Sequence, residues 1–571
     1  MVCIASRTLL CNFATDLFCK NIMIPKVIKR FMLESNGTTE SYAGRVVNIL
    51  DGTVTDAKIV VKDGIIAGVI PCDVPDDAPY YLPGFVDSHV HIESSMMLPS
   101  EFARIAKRHG TVGAVCDPHE IANVLGVAGV ELMLDNARNT DFYFGFGAPS
   151  CVPSCGTDVE TSGEILDSKA VASLLKREDI MMLSEMMNYP GVLNADAEVM
   201  AKIDAARRVG KPVDGHAPGL VGEGRSQYAA AGISTDHECT QYEEARDAVA
   251  SGMKVLIREG SAAKNYEALS PLIAECPDML MLCTDDSHPT DLVQGHIDRI
   301  VRRAIKDGYP VMDVLRMACL NPVRHYGLKT GLLQVGDSAD FIAVSDLSSD
   351  FKVIATFIHG VCQNDERSGD FELQDRYIRC EAAAITTEDI VYLNEGQSMI
   401  PQIVATDGSL FTDWYSGPKD SHSQKLVTYN RYVPEARPQV AYIRGFEITN
   451  GAIAQTIAHD CHNIIAVGSD DDMIVDMINR VISMRGGIAA TDGKETATLP
   501  LPIGGIMSNL PGDDLSEINL KLERIVRQSG CPFNAPFITL AFMALPVIPK
   551  LKLTDKGLFD GNTFRFVKVR G

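Results

Sequence analysis

Eight short apolar runs, each ending in polar or charged residues, lie between residues 80 and 286. The segments between them show helical periodicity; in one, Val199, Ile203, Ala206 and Val209 recur at three-to-four spacing. Strands that alternate with helices predict a parallel sheet, and eight such units within roughly 210 residues predict an α/β fold of the (β/α)₈ barrel type. The predicted strands are Tyr81–His91, Thr111–Cys116, Phe142–Phe146, Ile180–Leu183, Pro212–Val213, Ile233–Thr235, Lys254–Ile257 and Met279–Cys283.

The predicted barrel, residues 81–330, is flanked on both sides by short strand-like runs. Residues 39–80 and 331–368 carry these runs, and together they predict one small β domain built from both flanks. Residues 369–571 predict a C-terminal α+β domain with amphipathic helices at 472–485 and 515–528. Residues 1–38 show neither pattern and are predicted to be an N-terminal extension without ordered structure.

The composition limits the classes of partner. Asp and Glu number 75 against 52 Lys and Arg, a net charge of −23, which argues against nucleic acid and favours a neutral or cationic small molecule. No apolar run has the length that a bilayer-spanning helix needs, so no membrane partner is expected. The 15 cysteines show no paired framework, which is typical of free thiols in a reducing cytoplasm.

The polar residues at the strand ends include a set with metal-binding chemistry. His89 and His91 lie at alternate positions of one predicted strand, so both can face the same ion. The full set is His89, His91, Glu185, His216, His237 and Asp285. Four imidazoles and two carboxylates suit one or two divalent cations such as Zn²⁺, Mn²⁺ or Fe²⁺. Two ions about 3.5–4 Å apart can share a hydroxide; Glu185 could then be the bridging anion, and Asp285 could ligate one ion and accept the hydroxide's proton.

With these motifs in place, the chain resembles the amidohydrolase superfamily and, within it, the adenine deaminase family. The resemblance runs from about residue 40 to about residue 545 and includes Cys116-Asp-Pro-His-Glu120 and Ala458-His-Asp-Cys-His-Asn463. The remaining matching segments are 83–97, 183–191, 214–219, 256–261, 283–286 and 499–504.

The resemblance implies that adenine and water react to give hypoxanthine and ammonia. It implies a binuclear centre, with Mn²⁺ expected first and Fe²⁺ or Zn²⁺ as alternatives, and a homo-oligomer. One metal would be held by His89, His91, Glu185 and Asp285, and the other by Glu185, His216 and His237. Many members of the superfamily have a carbamylated lysine as the bridge, whereas this chain has Glu185 there.

A hydroxide would add to the amine-bearing carbon of the purine, and Asp285 would return its proton to the departing nitrogen. Another group must polarise or protonate the neighbouring ring nitrogen. The candidates are Asp117, His119, Glu120, Arg258 and Glu259, all at predicted strand ends. Glu120 and Glu259 are preferred, and Arg258 could instead be a structural ion-pair partner.

Three alternatives remain open from the sequence. His91-Ile-Glu93 fits half of the zinc nucleobase deaminase signature, but Cys151-Val-Pro-Ser-Cys155 is one residue too long for the other half. A barrel with the same metals could hydrolyse a cyclic amide. A barrel without metals could be a non-catalytic scaffold, although all six candidate ligands are present here.

Overall fold

Eight parallel strands form a closed barrel in the computed structural model, which describes residues 26–35, 39–367, 371–392 and 399–567. The strands are Phe85–His91, Thr111–Cys116, Tyr143–Ala148, Met182–Met186, Val213–Gly215, Thr235–Asp236, Lys254–Arg258 and Leu280–Cys283. A bridge between Val213 and Ile233 joins the fifth strand to the sixth, and the pair Asp285–Asp286, just after the eighth strand, closes the ring on the first. The predicted (β/α)₈ barrel is confirmed.

The first predicted strand, Tyr81–His91, is wrong in one respect, because it is two strands. Tyr80–Pro83 belongs to the small β sheet, and the barrel strand begins at Phe85. Gly84 separates them at a point of close packing, where a Cβ atom would lie 2.3 Å from Val112. The chain therefore passes from one sheet to the other at a glycine, where there is no room for a side chain.

Helices cover the outside of the barrel. They span Pro99–Arg108, His119–Leu125, Val127–Ala137, Ser168–Leu175, Tyr189–Leu193, Ala197–Arg208, Gly222–Ala230, Tyr242–Ala250, Tyr266–Leu269, Pro289–Gln294, Ile297–Lys306, Val311–Leu315 and Asn321–Tyr326. In Ala197–Arg208 the Asp196 side chain caps the first turn by accepting from the backbone N–H groups of Glu198 and Val199. Val199, Ile203 and Ala206 are buried, as their spacing predicts, whereas Val209, just after the end of the helix, is 42% exposed.

A small β sheet combines the two flanks of the barrel. In spatial order its strands are Val361–Cys362, Val353–Ile358, Phe341–Val344, Tyr80–Pro83, Thr39–Asn48, Thr53–Lys62 and Ile65–Pro71. A helix, Lys26–Phe31, leads into the strand Met32–Ser35, which pairs with Thr39–Asn48. Residues 26–35 of the predicted N-terminal extension thus form a helix and a strand, while residues 1–25 and 36–38 lie outside the described part of the chain.

The C-terminal region is an α+β domain around a second large sheet. In spatial order the strands are Asp413–Gly417, Ile400–Val404, Gln439–Arg444, Gln424–Tyr429, Ile464–Gly468, Ala452–Gln455, Gly487–Thr491 and Thr496–Pro500. Its helices are Asp471–Ser483, Gly512–Gln528 and Pro536–Phe542, and a three-stranded sheet follows at Leu551–Thr554, Gly557–Asp560 and Arg565–Phe566. None of the helices among the described residues is long and apolar enough to cross a membrane.

The inner strands of the C-terminal sheet are buried on both faces, and one face packs against the rest of the molecule. Ile464 and Ala466 pack with the helix Asp471–Ser483, whereas the alternate residues Ile465 and Val467 belong to the same apolar core as the barrel. This alternation follows from the two-residue period of a strand. The C-terminal domain is thereby held against the barrel and can contribute residues to its mouth.

Candidate active site

The two carboxylate oxygens of Glu185, in the fourth barrel strand, face two different groups of imidazoles. Oε1 lies 3.4 Å from Nε2 of His91. Oε2 lies 2.7 Å from Nδ1 of His216 and 3.0 Å from Nε2 of His237. All four side chains are buried. Glu185 therefore lies between two groups of potential ligands.

The first group contains both histidines of the first strand together with Asp285. Nε2 of His91 lies 3.0 Å from Oδ1 of Asp285 and 3.2 Å from Nε2 of His89. His91 donates its Nδ1–H to the carbonyl oxygen of Asp117, at 3.1 Å, which leaves the Nε2 lone pair directed at the cluster. Asp285 has a φ of 56°, a conformation that Asp adopts more readily than most residues. Backbone and hydrogen bonds thus direct these three side chains to one point.

A bulge in the first strand explains how the two histidines reach that point. The register with the second strand shifts between Asp87 and Val90. Before the bulge, Val86 packs inside the barrel with Met182; after it, Val90 packs in the outer core. Because an extra residue reverses the direction of the side chains that follow it, His89 and His91 face the mouth of the barrel.

The electrostatics of the cluster favour added positive charge. Burial alone would raise the pKa of Glu185, but His216 and His237 hold it well below its usual range. Burial would likewise raise the pKa of Asp285, and Arg258 and the histidines hold it well below normal. Burial would lower the pKa of His216, yet Glu238 and Glu185 raise it to about 9. Without cations, therefore, a proton on His216 balances part of the charge of the buried carboxylates.

A second buried group joins the barrel to the C-terminal domain. His459 donates its Nδ1–H to Oε1 of Glu120 at 2.6 Å, and His462 contacts the other oxygen, Oε2. Nε2 of His119 lies 3.6 Å from Oε1 of Glu120 and 3.7 Å from Oδ1 of Asp460. Burial would raise the pKa of Glu120, but the histidines hold it well below its usual range. Glu120 is thus kept ionised by residues from both domains.

Arg258 and Glu259, adjacent in sequence, point in opposite directions. The guanidinium of Arg258 is buried beside the metal-ligand candidates, with Nη1 donating to Oδ2 of Asp285 at 2.8 Å and also contacting Glu238. Glu259 instead accepts from Nη1 of Arg303, at 2.9 Å, on an outer helix. The structure therefore contradicts the prediction that Glu259 lies in the site, because neighbouring residues of a strand face opposite sides of the sheet.

Asp117 and His119 follow the second strand and are buried at the cluster. Oδ1 of Asp117 accepts from the backbone N–H of His119, and Oδ2 lies 3.2 Å from the His119 Nδ1. That same Nδ1 lies 3.4 Å from Oε1 of Glu185. Asp117 orients His119, and His119 links Glu185 to the Glu120 group.

A cavity of about 30 Å³ lies at the centre of these residues. Besides the predicted residues its lining includes Met187, Glu238, Asp286, Leu410, His459, Asp460, Phe542 and Leu545. Glu238 follows directly after His237 at a strand end, so the sequence carried a signal for it. The apolar residues from the C-terminal domain lie in no recognisable motif, and only the fold brings them to the barrel.

Models of two protein families match separate parts of this chain. An amidohydrolase family model matches residues 80–362, and a model of the adenine deaminase C-terminal domain matches residues 408–565. A solved amidohydrolase structure aligns with 58% of this chain and 100% of its own, at 14% identity and a TM-score of 0.43.

Curated relatives named adenine deaminase match over nearly their whole lengths. The protein from Salinibacter ruber is 48% identical, covering 92% of this chain and 98% of the relative. The protein from Sulfurovum sp. is 49% identical, with coverages of 91% and 98%. Together with the buried histidine–carboxylate groups, the amidohydrolase match indicates binding of a divalent metal. This chain belongs to the adenine deaminase family of the amidohydrolase superfamily.

Proposed function

We propose that this chain hydrolyses adenine to hypoxanthine and ammonia at the buried cluster around Glu185. The observation that supports it most is the position of Glu185, whose two oxygens face separate imidazole groups. The relatives' names supply the substrate. A cyclic-amide hydrolase of the superfamily would more often have a lysine at this position, which weakens that alternative.

The residues present fit two divalent cations. His89, His237 and Asp285 form one group whose ligand atoms all lie within 4.8 Å of one another, and Glu185, His216 and His237 form a second. Nδ1 of His216 and Nε2 of His237 both face Oε2 of Glu185, an arrangement of two imidazole nitrogens and a carboxylate oxygen that suits one divalent ion. We propose a binuclear site held by His89, His91, Glu185 and Asp285 on one side and by Glu185, His216 and His237 on the other, with Mn²⁺ as the first candidate.

Divalent cations there would supply a water acidic enough to ionise near neutral pH. Asp285 is placed to take that proton on a carboxylate oxygen and to pass it to the amine nitrogen that leaves. Nη1 of Arg258 donates to Oδ2 of Asp285 at 2.8 Å, while Oδ1 lies 3.0 Å from Nε2 of His91, so the carboxylate is fixed with one oxygen toward the cluster. We therefore assign proton transfer to Asp285 and orientation of its carboxylate to Arg258.

The ring nitrogen beside the reacting carbon needs a proton donor, and Glu120 organises one. Glu120 is held ionised, so the proton is expected on the imidazole that Glu120 fixes rather than on its own carboxyl group. Burial opposes protonation of His459, but Glu120 and Asp286 raise its pKa to about 9. His459 is thus charged at neutral pH, and we propose that it donates to the purine while Glu120 holds it.

The test is ammonia release from adenine by purified protein, with metal analysis before and after Mn²⁺ reconstitution. We expect the rate of ammonia release to rise with metal content and to be highest at about two metals per chain. The variant Glu185→Gln should lose metal and turnover while remaining folded, whereas the exposed control Glu131→Gln should lose neither. Full occupancy of both metals in Glu185→Gln would show that the bridge is misassigned. Metal without ammonia release would leave the barrel as a hydrolase of another substrate.

Two further expectations stay predictions. A reducing cytoplasm is consistent with the twelve cysteines among the described residues, all of which are free thiols. A homo-oligomer is expected from the resemblance alone, and sedimentation of the purified protein would measure it.

A further inference from the structure

Two cavities meet at one side chain. The inner cavity, at the candidate metal ligands, has a volume of about 30 Å³. An outer cavity of about 410 Å³ lies beside it, between the loop after the seventh barrel strand and a loop of the C-terminal domain. Leu410 is the residue that lines both.

The sizes of the cavities decide where a substrate can first bind. A cavity of the inner volume has room for about two water molecules, and a two-ring purine is several times larger. The outer volume falls within the range of sites that hold small organic molecules. A purine approaching by this route must therefore bind outside before it can reach the ligand cluster.

The wall between the cavities has a fixed part and a part that can move. The fixed part is Arg258, which contacts Asp285 and Glu238 on the inner side and donates its Nε–H to the carbonyl oxygen of Ala263 at 2.6 Å. Moving Arg258 would separate buried opposite charges, which is costly. Leu410 is 7% exposed and packs in the apolar core, but it carries no charge, so moving its side chain disturbs only apolar contacts.

The backbone at Leu410 is held firmly, so that movement is confined to the side chain. Nζ of Lys552 donates to the Leu410 carbonyl oxygen at 2.6 Å. The N–H of Gly408 donates to Oγ1 of Thr539 at 2.9 Å, and the N–H of Thr412 donates to the Pro549 carbonyl oxygen at 3.1 Å. The loop therefore presents one movable apolar side chain at a fixed position.

The lining of the outer cavity suits an uncharged planar heterocycle. Phe411 is 36% exposed, so an aromatic face is available for stacking. Ala263 and Ala535 add apolar surface, and Thr240 and Asn534 add polar groups. The Asp407 carboxylate already accepts from the backbone N–H groups of Asn534 and Ala535. Two cationic residues, Arg258 and Lys264, also line the outer cavity. Arg258 is paired with Asp285 and Glu238, and Lys264 interacts with the Glu259 carboxylate. Because its charged groups are engaged in this way, the lining is better matched to a neutral base than to a charged ligand.

We infer that the outer cavity is an entry subsite for the purine base, and that the Leu410 side chain separates it from the reaction centre and limits which 6-substituted purines pass. The inference rests on the proposed function for the identity of the ligand. The bulk of residue 410 then selects among substrates, since a larger substituent on the ring needs a wider opening.

Binding is tested on the metal-loaded protein with unsubstituted purine, which has no amine to release, by equilibrium dialysis. Phe411→Ala should weaken binding about ten-fold through loss of stacking. Thr240→Trp, which fills the outer cavity away from the ligand cluster, should weaken it at least as much while metal content stays at the wild-type value. Leu558→Ala is the matched control, since Leu558 and Leu410 are both 7% exposed.

Passage is tested by the ratio of kcat/KM for a purine with a bulky 6-substituent to that for adenine. Leu410→Ala should raise this ratio about ten-fold or more, and Leu410→Phe should lower kcat/KM for both; Leu558→Ala should leave the ratio unchanged. Wild-type purine binding in both Phe411→Ala and Thr240→Trp would overturn the subsite, and an unchanged ratio in Leu410→Ala would overturn the selection. If the wild type turns over adenine but the variants bind purine as the wild type does, only the subsite is refuted. If the wild type does not turn over adenine but the variants bind purine more weakly, only the proposed function is refuted.

Discussion

Lys552 is buried and has no acidic partner among the described residues, which makes its charge a measurable cost to the fold. Its Nζ donates to the carbonyl oxygens of Leu410, at 2.6 Å, and Phe542, at 3.0 Å, and burial lowers its pKa from 10.5 to about 7. Both carbonyls belong to residues that line the candidate site. The perturbation is Lys552→Met, which keeps the length of the side chain and removes the titrating group.

The sign and size of the effect follow from proton linkage. An unfolded lysine stays protonated up to about pH 10.5, whereas folded Lys552 loses its proton near pH 7, so the unfolded chain binds more protons between these values and stability rises with pH. Over this whole pH interval the free energy of unfolding rises by about 5 kcal/mol, at about 1.4 kcal/mol for each pH unit. Between pH 7 and pH 9 the free energy of unfolding should rise by about 2 kcal/mol more in the wild type than in Lys552→Met.

The assay is urea unfolding followed by tryptophan fluorescence. The chain has one tryptophan, Trp414, and it lies in the strand Asp413–Gly417 of the C-terminal domain. Lys550→Met, at an exposed position of the neighbouring segment, controls for the change in net charge. Because the two lost hydrogen bonds are absent from the variant at every pH, the pH slope isolates the charge. Equal slopes in the wild type and Lys552→Met would refute the reasoning.

Three further predictions concern the site. Since a cation needs neutral His216, whose pKa is about 9, chelator competition should show metal affinity rising up to about ten-fold per pH unit from pH 6.5 to 8.5; a flat profile would remove His216 from the ligands. Asp285→Asn should retain metal while kcat falls at least about 100-fold; activity within a few-fold of wild type would point to Asp286 instead. His459→Ala should lower turnover about ten-fold or more at constant metal content, and unchanged turnover would restrict His459 to ordering its loop.

The strand-end residues could be predicted from the sequence because parallel strands place all their carboxyl ends at one rim. Once the eight runs are recognised, Glu185, His216 and His237 must lie near one another, whatever the details of packing. The fourth strand is observed at Met182–Met186 against a prediction of Ile180–Leu183, a shift that leaves Glu185 at the same end. An error of a few residues in the bounds of a strand therefore does not change which residues are predicted at the rim of the barrel.

The direction in which a side chain points and the contacts between residues far apart in the chain are harder to predict from the sequence. The sequence predicts Glu259 in the site because it follows a strand, but Arg258 faces inward, and its neighbour Glu259 faces the outer helices instead. The contact of Glu120 with His459 joins residues 339 positions apart, and no local pattern specifies it. Leu410 lies in a loop whose position depends on backbone bonds to three other segments. Such contacts follow from packing between domains, which a single sequence does not display.

The C-terminal domain is better understood as part of the site than as an attachment to a complete barrel. Its His459 and His462 hold the Glu120 carboxylate of the barrel, and its Leu410 and Phe542 enclose the space beside the candidate metal ligands. Enclosure excludes water, which strengthens the interactions of buried charges and leaves the cluster to the substrate. A barrel alone would expose Glu120 to solvent, and its carboxylate would no longer fix a charged imidazole. The separate family model for residues 408–565 therefore covers a segment on which the chemistry of the barrel depends.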